Sequence, residues 1–204
     1  VNVVRCFEDD NVVHVAGKVD PIADIEVIQT ELCLADLGAV EKALQRHQKP
    51  ARAGDKESIR LVAILEKCQT ALNQAQPVRS LEFSKEELPL LKQFFLITAK
   101  PAMFVANVAE DGFENNPLLA RLEGFAAAQR APVVAIGAKI EGEMREMSEM
   151  SDEDRLMFLE ELGQNEPGLN RLIRCAYSLL GLQTYFTAGV TDPYGPGTHL
   201  FHTG

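Results

Sequence analysis

Two short, continuous apolar runs constrain the fold of this chain more than any other feature. The first covers residues 102–106 and ends at Asn107, and the second covers residues 132–136 and is followed by Gly137. Each run is long enough for one strand and lacks the polar alternation of a half-exposed strand. Helical periodicity follows both runs, and buried strands that alternate with helices are typical of α/β proteins. We therefore predict an α/β fold built on a parallel sheet.

A long helical segment separates the first of these runs from the start of the chain. Residues 1–7 predict another strand, and from residue 22 apolar side chains recur every three to four positions. This period predicts a helix that ends near Pro50, and Asp55 is a suitable N-cap for a second helix. Two helices joined by a short Pro/Gly loop predict an antiparallel, coiled-coil-like hairpin. The hairpin would be inserted between two neighbouring strands of the sheet.

Local capping signals predict three further helices. Ser84 and Glu87 have the spacing of a capping box, and Asn116 precedes a proline, as at many helix starts. Ser151 stands before an acidic first turn, which is a third N-terminal signal.

The end of the chain is harder to interpret. A helix that starts near Pro167 is followed by residues 183–188, which predict a strand. Residues 191–204 are rich in Gly, Pro and His, and no pattern in them predicts an element.

Composition and charge exclude several classes of protein. The formal net charge is −10, which argues against non-specific binding of DNA by the whole surface. The four cysteines have no Cys-x-x-Cys spacing, so we expect reduced thiols in a cytoplasmic protein and no metal site. No apolar run approaches the roughly 18–20 residues of a membrane span, and we expect no membrane partner.

Polar residues follow both buried strands, where a parallel sheet binds its ligands. Asn107 and Glu110 follow the first strand, and Gly137, Ala138 and Lys139 follow the second. A carboxamide that donates and accepts, beside a carboxylate that only accepts, suits the edge of a purine base. The spacing alone leaves open whether Asn107 and Glu110 bind a ligand or only cap a turn.

A cluster of basic residues marks the predicted tip of the hairpin. A cluster of this kind on an acidic protein suits contact with a phosphate backbone, although a solvated helix end has the same composition. The predicted contact residues are Lys42, Arg46, Lys49, Arg52 and Lys56, with Arg60 close by.

Several longer motifs, in a consistent order, resemble the Obg-like ATPase (YchF) family of P-loop NTPases. The resemblance covers about residues 3–190. It is carried by Arg5-Cys-Phe-Glu8, His14-Val-Ala-Gly17, Thr30-Glu-Leu, Ala35-Asp-Leu37, Asn107 to Pro117, Glu166-Pro-Gly-Leu-Asn-Arg171, and Leu182 to Gly189.

The resemblance implies a nucleotide site that accepts adenine. Asn107, Val108 and Glu110 would then contact the base, with Val108 packed on its face, and Gly137-Ala138-Lys139 would form a second loop at the base. His14 matches a position proposed in the family to orient the attacking water. The implied ligands are ATP, with GTP left open, and Mg²⁺ in the complete protein, and the implied partner is the ribosome or its RNA.

The resemblance also implies a division of the chain. No stretch of it has the phosphate-binding pattern in which two glycines frame four residues and Lys-Ser or Lys-Thr follows. We therefore expect a central fragment of such an NTPase that hydrolyses nothing appreciable by itself. The predicted parts are residues 1–21 of the nucleotide-binding domain, 22–92 as the helical insertion, 93–181 as the remainder of that domain, and 182–204 as the start of a TGS domain with a divergent tail.

Overall fold

The computed structural model describes residues 1–8, 19–146, 151–186 and 198–202. These residues fall into two compact units. The first unit is Val1–Pro21 with Ala102–Gly204, and the second is Ile22–Pro101.

The helices and strands follow one another in the order expected of an α/β protein with a helical segment after its first strand. In chain order they are β1 (Asn2–Arg5), α1 (Pro21–Arg52), α2 (Lys56–Leu72), a 3-10 turn (Val78–Ser80), α3 (Glu87–Lys92), β2 (Phe104–Asn107), α4 (Pro117–Ala128), β3 (Val133–Ile136), α5 (Ala138–Glu146), α6 (Asp152–Glu161), α7 (Gly168–Leu180), β4 (Leu182–Phe186) and β5 (Thr198–His202).

The first unit is built on a parallel sheet with the strand order β1-β2-β3, which confirms the predicted fold class. In register, Arg5 of β1 and Ile136 of β3 lie on either side of Asn107. The central strand is covered on both faces, because Phe104, Val105 and Ala106 are fully buried. This burial explains why the strand is a continuous apolar run.

One side of this sheet packs against α7. Val105 and Val134 form a core with partly buried residues of α7, among them Leu172 and Leu179. The helix begins close to the strand end, since a Cβ atom on Gly168 would lie 2.8 Å from Cγ2 of Ile136. Glycine is therefore the residue that allows this approach of helix and sheet.

The second unit contains α1, α2 and α3 around one apolar core. Val40 and Leu44 of α1 pack in this core with Ile64 and Leu65 of α2, and Leu91 of α3 completes it. Both predicted caps are confirmed. The side chain of Asp55 accepts from Ser58 N at 2.9 Å. Ser84 and Glu87 exchange side-chain to backbone hydrogen bonds in both directions.

The first helix ends two residues beyond Pro50, close to the predicted end. Pro50 lies inside α1, which continues to Arg52. Pro50 has no N–H to donate and its ring crowds the carbonyl four residues before it, and α1 ends two residues later. The Pro50 carbonyl accepts from Ala53 N at 3.0 Å and from Asp55 N at 3.1 Å.

A buried carboxylate fixes the segment that follows α3. Asp36 of α1 is only 3% exposed. Its oxygens accept from Ile97 N at 2.9 Å, from Thr98 N at 2.7 Å and from the Thr98 hydroxyl at 2.6 Å. Because the acid satisfies three donors at once, it pins residues 97–98 to the helix.

Residues 198–202 lie in the segment 191–204, in which no sequence pattern predicts an element. These residues form β5, which pairs antiparallel with β4, from Leu182 opposite His202 to Phe186 opposite Thr198. Five residues without turn signals of their own give little warning of a strand, because pairing with β4 supplies its hydrogen bonds. Within the described part of the chain, no helix has the length and apolar composition needed to cross a membrane.

Candidate nucleotide-base site

Asn107 stands at the carboxyl end of the central strand, as the sequence predicts. It is the last residue of β2 and is partly exposed, whereas the three residues before it are buried. Beyond it the backbone stays attached to the sheet, because Val108 N donates to Ile136 O at 2.9 Å. The strand therefore delivers one polar side chain to the edge at which parallel sheets bind ligands.

A hydrogen bond joins Asn107 to the end of the neighbouring strand. Its side-chain Oδ1 accepts from the backbone N–H of Ala138 at 3.0 Å. The two predicted segments are thus brought together, and the side chain that joins them is the one expected to contact the base. Among the residues that the structure describes, none accepts a hydrogen bond from Asn107 Nδ2, so this group can donate to a ligand.

Ala138 and Lys139 lie in a helix rather than in the predicted loop, and Gly137 alone connects that helix to β3. Helix α5 begins at Ala138, and Gly137 O accepts from Glu141 N at 3.0 Å in its first turn. Gly137 fits because a Cβ atom there would lie 2.7 Å from Cδ1 of Ile140. The site thus faces the N-terminal end of a helix, where backbone N–H groups point outward.

Glu110, which follows β2, and Lys139, at the start of α5, form an ion pair. The distance from Lys139 Nζ to Glu110 Oε1 is 2.6 Å, and Glu143 Oε1 is 3.7 Å from the same nitrogen. The hydrogen bond and the charge of Glu110, followed by the charge of Glu143, raise the pKa of Lys139. The side chains of Lys139 and Glu110 are 75% and 45% exposed, so solvent and ligands can reach both.

The contact of Val108 with the face of a base stays a prediction. Val108 is only 3% exposed, so its side chain belongs to the interior of the first unit. The apolar character that suggested a ring contact is explained by this burial.

Asn116 connects the segment after Glu110 to the residue that follows β1, and only its role as a helix cap was predicted from the sequence. Its Oδ1 caps α4 by accepting from Leu118 N and Leu119 N at 3.0 and 3.1 Å. Its Nδ2 donates to Cys6 O at 2.8 Å and to Gly112 O at 3.0 Å. The cap was predicted, whereas the two donated bonds have no signal except that an amide, unlike Ser or Asp, has N–H groups to give.

His14, the predicted water-orienting residue, lies outside the described residues. The groups present do not fit a magnesium site either. Mg²⁺ prefers several oxygen ligands, whereas the acid of this site is paired with Lys139. In the described part of the chain, no three His, Cys, Asp or Glu residues are grouped so that they could hold a metal ion.

The five basic residues of the predicted hairpin cluster are all exposed. Lys42, Arg46 and Lys49 lie on α1 and are exposed. Arg52 at the end of α1 and Lys56 at the start of α2 are exposed as well. In the described structure none of the five forms an ion pair with an acidic side chain, so their charges are available to a partner.

The three-stranded parallel sheet and the helices around it place this protein among the α/β proteins. A parallel sheet with polar groups at the carboxyl ends of adjacent strands is typical of α/β proteins, in which this edge is the usual place for a ligand. No family model matches the chain. The ribosome-binding ATPase YchF of Haemophilus influenzae is 52% identical to it over 191 residues, which are 94% of this chain and 52% of the relative. The protein of the same name from Bacillus subtilis is 48% identical over 191 residues, or 92% of this chain and 51% of the relative.

A solved structure supports the same assignment. The YchF GTPase of Schizosaccharomyces pombe matches with a TM-score of 0.78 at 28% identity, over 92% of this chain and 51% of that one. The chain is thus similar to YchF proteins over more than nine-tenths of its own length, and its fold matches that of the YchF GTPase structure. It spans about half the length of the curated relatives that it matches.

Proposed function

We propose that this chain forms the base-binding half of the nucleotide site of a ribosome-associated, ATP-hydrolysing YchF protein. The observation that carries the proposal is the contact between the two strand ends, in which Asn107 accepts from Ala138 N and Glu110 pairs with Lys139. Four polar groups from two neighbouring strand ends meet at the ligand edge of a parallel sheet. A turn cap alone would need only one of these contacts.

The chemistry of the groups suits a purine. Adenine presents an acceptor at N7 and a donor at N6, and an asparagine side chain can pair with both. In this site the Asn107 amide nitrogen would donate to the ring, while its oxygen holds Ala138 in place. The carboxylate of Glu110 would accept from an amino group of the base.

The remaining parts of a hydrolytic site belong to the whole protein. Catalysis in P-loop NTPases is mainly positioning and charge stabilisation around the phosphates and Mg²⁺, and the 204 residues contain no phosphate-binding motif of the Gly-Lys type. We assign His14 the task of orienting water in the complete protein. This chain alone should hydrolyse no ATP, and Mg²⁺-dependent turnover that is lost in His14→Ala would contradict this.

Binding of adenosine to the 204-residue chain tests the base site directly. Amide shifts of Asn107, Ala138 and Lys139 should move in ¹⁵N–¹H spectra during titration with adenosine. Asn107→Asp keeps an acceptor for Ala138 N but removes the donor, so binding should weaken by about tenfold or more. Asn170→Asp, the same change at an exposed position of α7, is the matched control. Binding that survives Asn107→Asp unchanged would refute the assignment.

The second unit supplies a separate surface for the ribosome, within the same proposal. Helices α1 and α2, joined by residues 53–55, would form an antiparallel hairpin with coiled-coil character, inserted into the nucleotide-binding domain. Its five exposed cations, together with Arg60, suit ribosomal RNA, and by themselves they would define a non-catalytic RNA-binding module. Residues from 182 onward would open a TGS domain. Association with the ribosome would place the protein in the cytoplasm.

Charge reversal tests whether the basic cluster itself, rather than the net charge of the protein, determines binding to the ribosome. Lys49→Glu with Arg52→Glu should weaken co-sedimentation with ribosomes and lower the slope of binding against salt by about one to two ions. Lys85→Glu with Lys92→Glu changes the net charge equally at two exposed positions that are not members of the cluster. If both double variants pellet equally well, the cluster is a solvated helix end.

A further inference from the structure

Phe95 is the most exposed of the large apolar residues that the structure describes, at 81%. Its backbone is also unfavourable for a phenylalanine, because φ is 50°. The residue follows α3, and its N–H donates to Lys92 O at 3.2 Å. A left-handed residue just after a helix is usually glycine or asparagine. Folding of the second unit therefore does not account for an aromatic ring at this position, which points to a role in binding.

Hydrogen bonds hold the segment that carries Phe95 in one position. The next residue, Leu96, is 3% exposed and belongs to the core of the second unit. Asp36 accepts from both the N–H and the hydroxyl of Thr98, and this hydroxyl accepts from Val78 N at 3.2 Å. The ring of Phe95 is thus presented to solvent on a fixed backbone, which reduces the entropy lost when a partner binds.

The surroundings of Phe95 suit an anionic partner. Residues 88–101 contain neither Asp nor Glu. The preceding residue, Phe94, lies against His47, with 6.4 Å between the ring centroids. His47 stands in α1 between Arg46 and Lys49, two residues of the basic cluster. The segment that carries the exposed ring therefore meets α1 within this cluster. Proteins bind single-stranded nucleic acid with the same combination, in which cations follow the phosphates and aromatic rings stack on the bases.

We propose that Phe95 is a stacking platform for an unpaired base of ribosomal RNA. This inference rests on the proposed RNA surface of the second unit. In double-stranded RNA the faces of the bases are already stacked on one another, so the ring selects a loop, a bulge or a single strand. The basic cluster binds the phosphates of either form. An apolar pocket of a ribosomal protein would gain nothing from the adjacent cations, so RNA is the partner that fits both features.

Fluorescence anisotropy measures the platform with a short, labelled single-stranded RNA and with the same strand annealed to its complement. Phe95→Ala should weaken binding of the single strand by about five- to fiftyfold and leave binding of the duplex unchanged. Phe95→Tyr keeps a ring and should keep the affinity. Phe95→Leu keeps apolar area without a π face and should bind about as weakly as Phe95→Ala. Val27→Ala, which truncates another exposed apolar side chain of the second unit, should change neither constant.

A spectroscopic signal separates stacking from an effect on structure. The chain contains no tryptophan, so Phe95→Trp places a single indole at the platform. Its emission should be quenched by the single strand and much less by the duplex, because only an unpaired base can stack on it. The dependence of affinity on salt should be the same in all Phe95 variants, since the ring contacts no phosphate.

Several results would overturn the platform. Unchanged affinity of Phe95→Ala for the single strand, or an indole that RNA does not quench, would show that the ring does not stack on a base. Full affinity of Phe95→Leu would mean an apolar contact without stacking. If Phe95→Ala pellets less with ribosomes but binds RNA normally, the ring contacts a ribosomal protein instead. A wild-type chain that binds neither RNA refutes the RNA surface itself, whereas binding that depends on Lys49 and Arg52 but not on Phe95 refutes only the platform.

Discussion

Replacement of Asp36 by alanine is the most informative test of how the second unit is held together. Asp36 lies in the middle of α1 and is 3% exposed, and its carboxylate accepts all three hydrogen bonds described for it from Ile97 and Thr98. The perturbation removes every acceptor at once and leaves the donors in place.

The size of the effect follows from which donors water can reach. Ile97 is 46% exposed, so its N–H can turn to solvent at little cost. Thr98 is 1% exposed, so its N–H and hydroxyl stay buried without an acceptor. A buried unsatisfied group costs about 1–3 kcal/mol, and the hydroxyl also accepts from Val78 N, so we expect a loss of about 3–4 kcal/mol. This loss is smaller than the summed energy of three hydrogen bonds to a charged group, because the wild-type protein also bears the cost of burying the carboxylate.

Urea unfolding followed by far-UV circular dichroism measures this loss, with hydrogen exchange of residues 22–101 as a local readout. With a denaturant slope of about 1–2 kcal/mol per M, the midpoint of unfolding should fall by about 1.5–4 M. Asp36→Asn keeps one acceptor and should lose about half as much. Glu31→Ala, an exposed position on the same helix, is the control. A shift for Asp36→Ala no larger than that of the control would show that the three hydrogen bonds contribute nothing net.

Three further changes test other parts of the structure. Asn116→Ala should destabilise the first unit by about 2–3 kcal/mol, because it loses the helix cap and the hydrogen bond to Cys6 O, whereas Asn116→Asp should keep the cap. Tyrosine fluorescence in urea measures the unfolding of both variants, since every tyrosine lies beyond residue 176 and hence in the first unit. Burial raises the pKa of the Cys68 thiol from 9.0 to about 11, so its contribution to stability is complete below pH 9 and is lost as the pH rises toward 11. Between pH 8.5 and 10.5 the free energy of unfolding of the wild-type chain should therefore fall by about 2 kcal/mol more than that of Cys68→Ala. Parallel pH profiles of the two chains would refute this. Phe95 is 81% exposed with φ of 50°, so Phe95→Asn, which tolerates this conformation better, should stabilise the chain by about 0.5–1 kcal/mol in the same urea assay, and a destabilised variant would mean that the ring contributes packing.

The features that could be predicted from the sequence are those that depend on a few neighbouring residues. The cap at Asp55 is satisfied by an N–H three residues away, and the buried strand at residues 104–107 is recognisable because both of its faces are apolar. Neither needs knowledge of the tertiary structure. The predicted parallel sheet follows from the same local signals, since strands separated by helices have few other arrangements.

The features that could not be predicted depend on residues distant in the sequence. Strand β5 forms only because β4 supplies its partner, and the exposure of Val108 depends on what packs against it rather than on its spacing from Asn107. The ion pair of Glu110 and Lys139 joins residues 29 positions apart. The sequence predicted both residues for the site, but not that they contact each other, which decides what the acid can accept.

The motifs that carry the family resemblance contain both buried and exposed polar residues, and these two groups have different expected roles. Asp36, from the motif Ala35-Asp-Leu37, is buried and its bonds go to the protein itself, so its replacement should change stability. Asn107 and Glu110 keep groups without a described partner at an exposed edge, so their replacement should change binding more than stability. A motif shared by a family therefore does not reveal its role by its presence alone. The number of hydrogen-bonding groups that the folded chain leaves unused is the quantity that distinguishes a residue that holds the fold from one that reads a ligand.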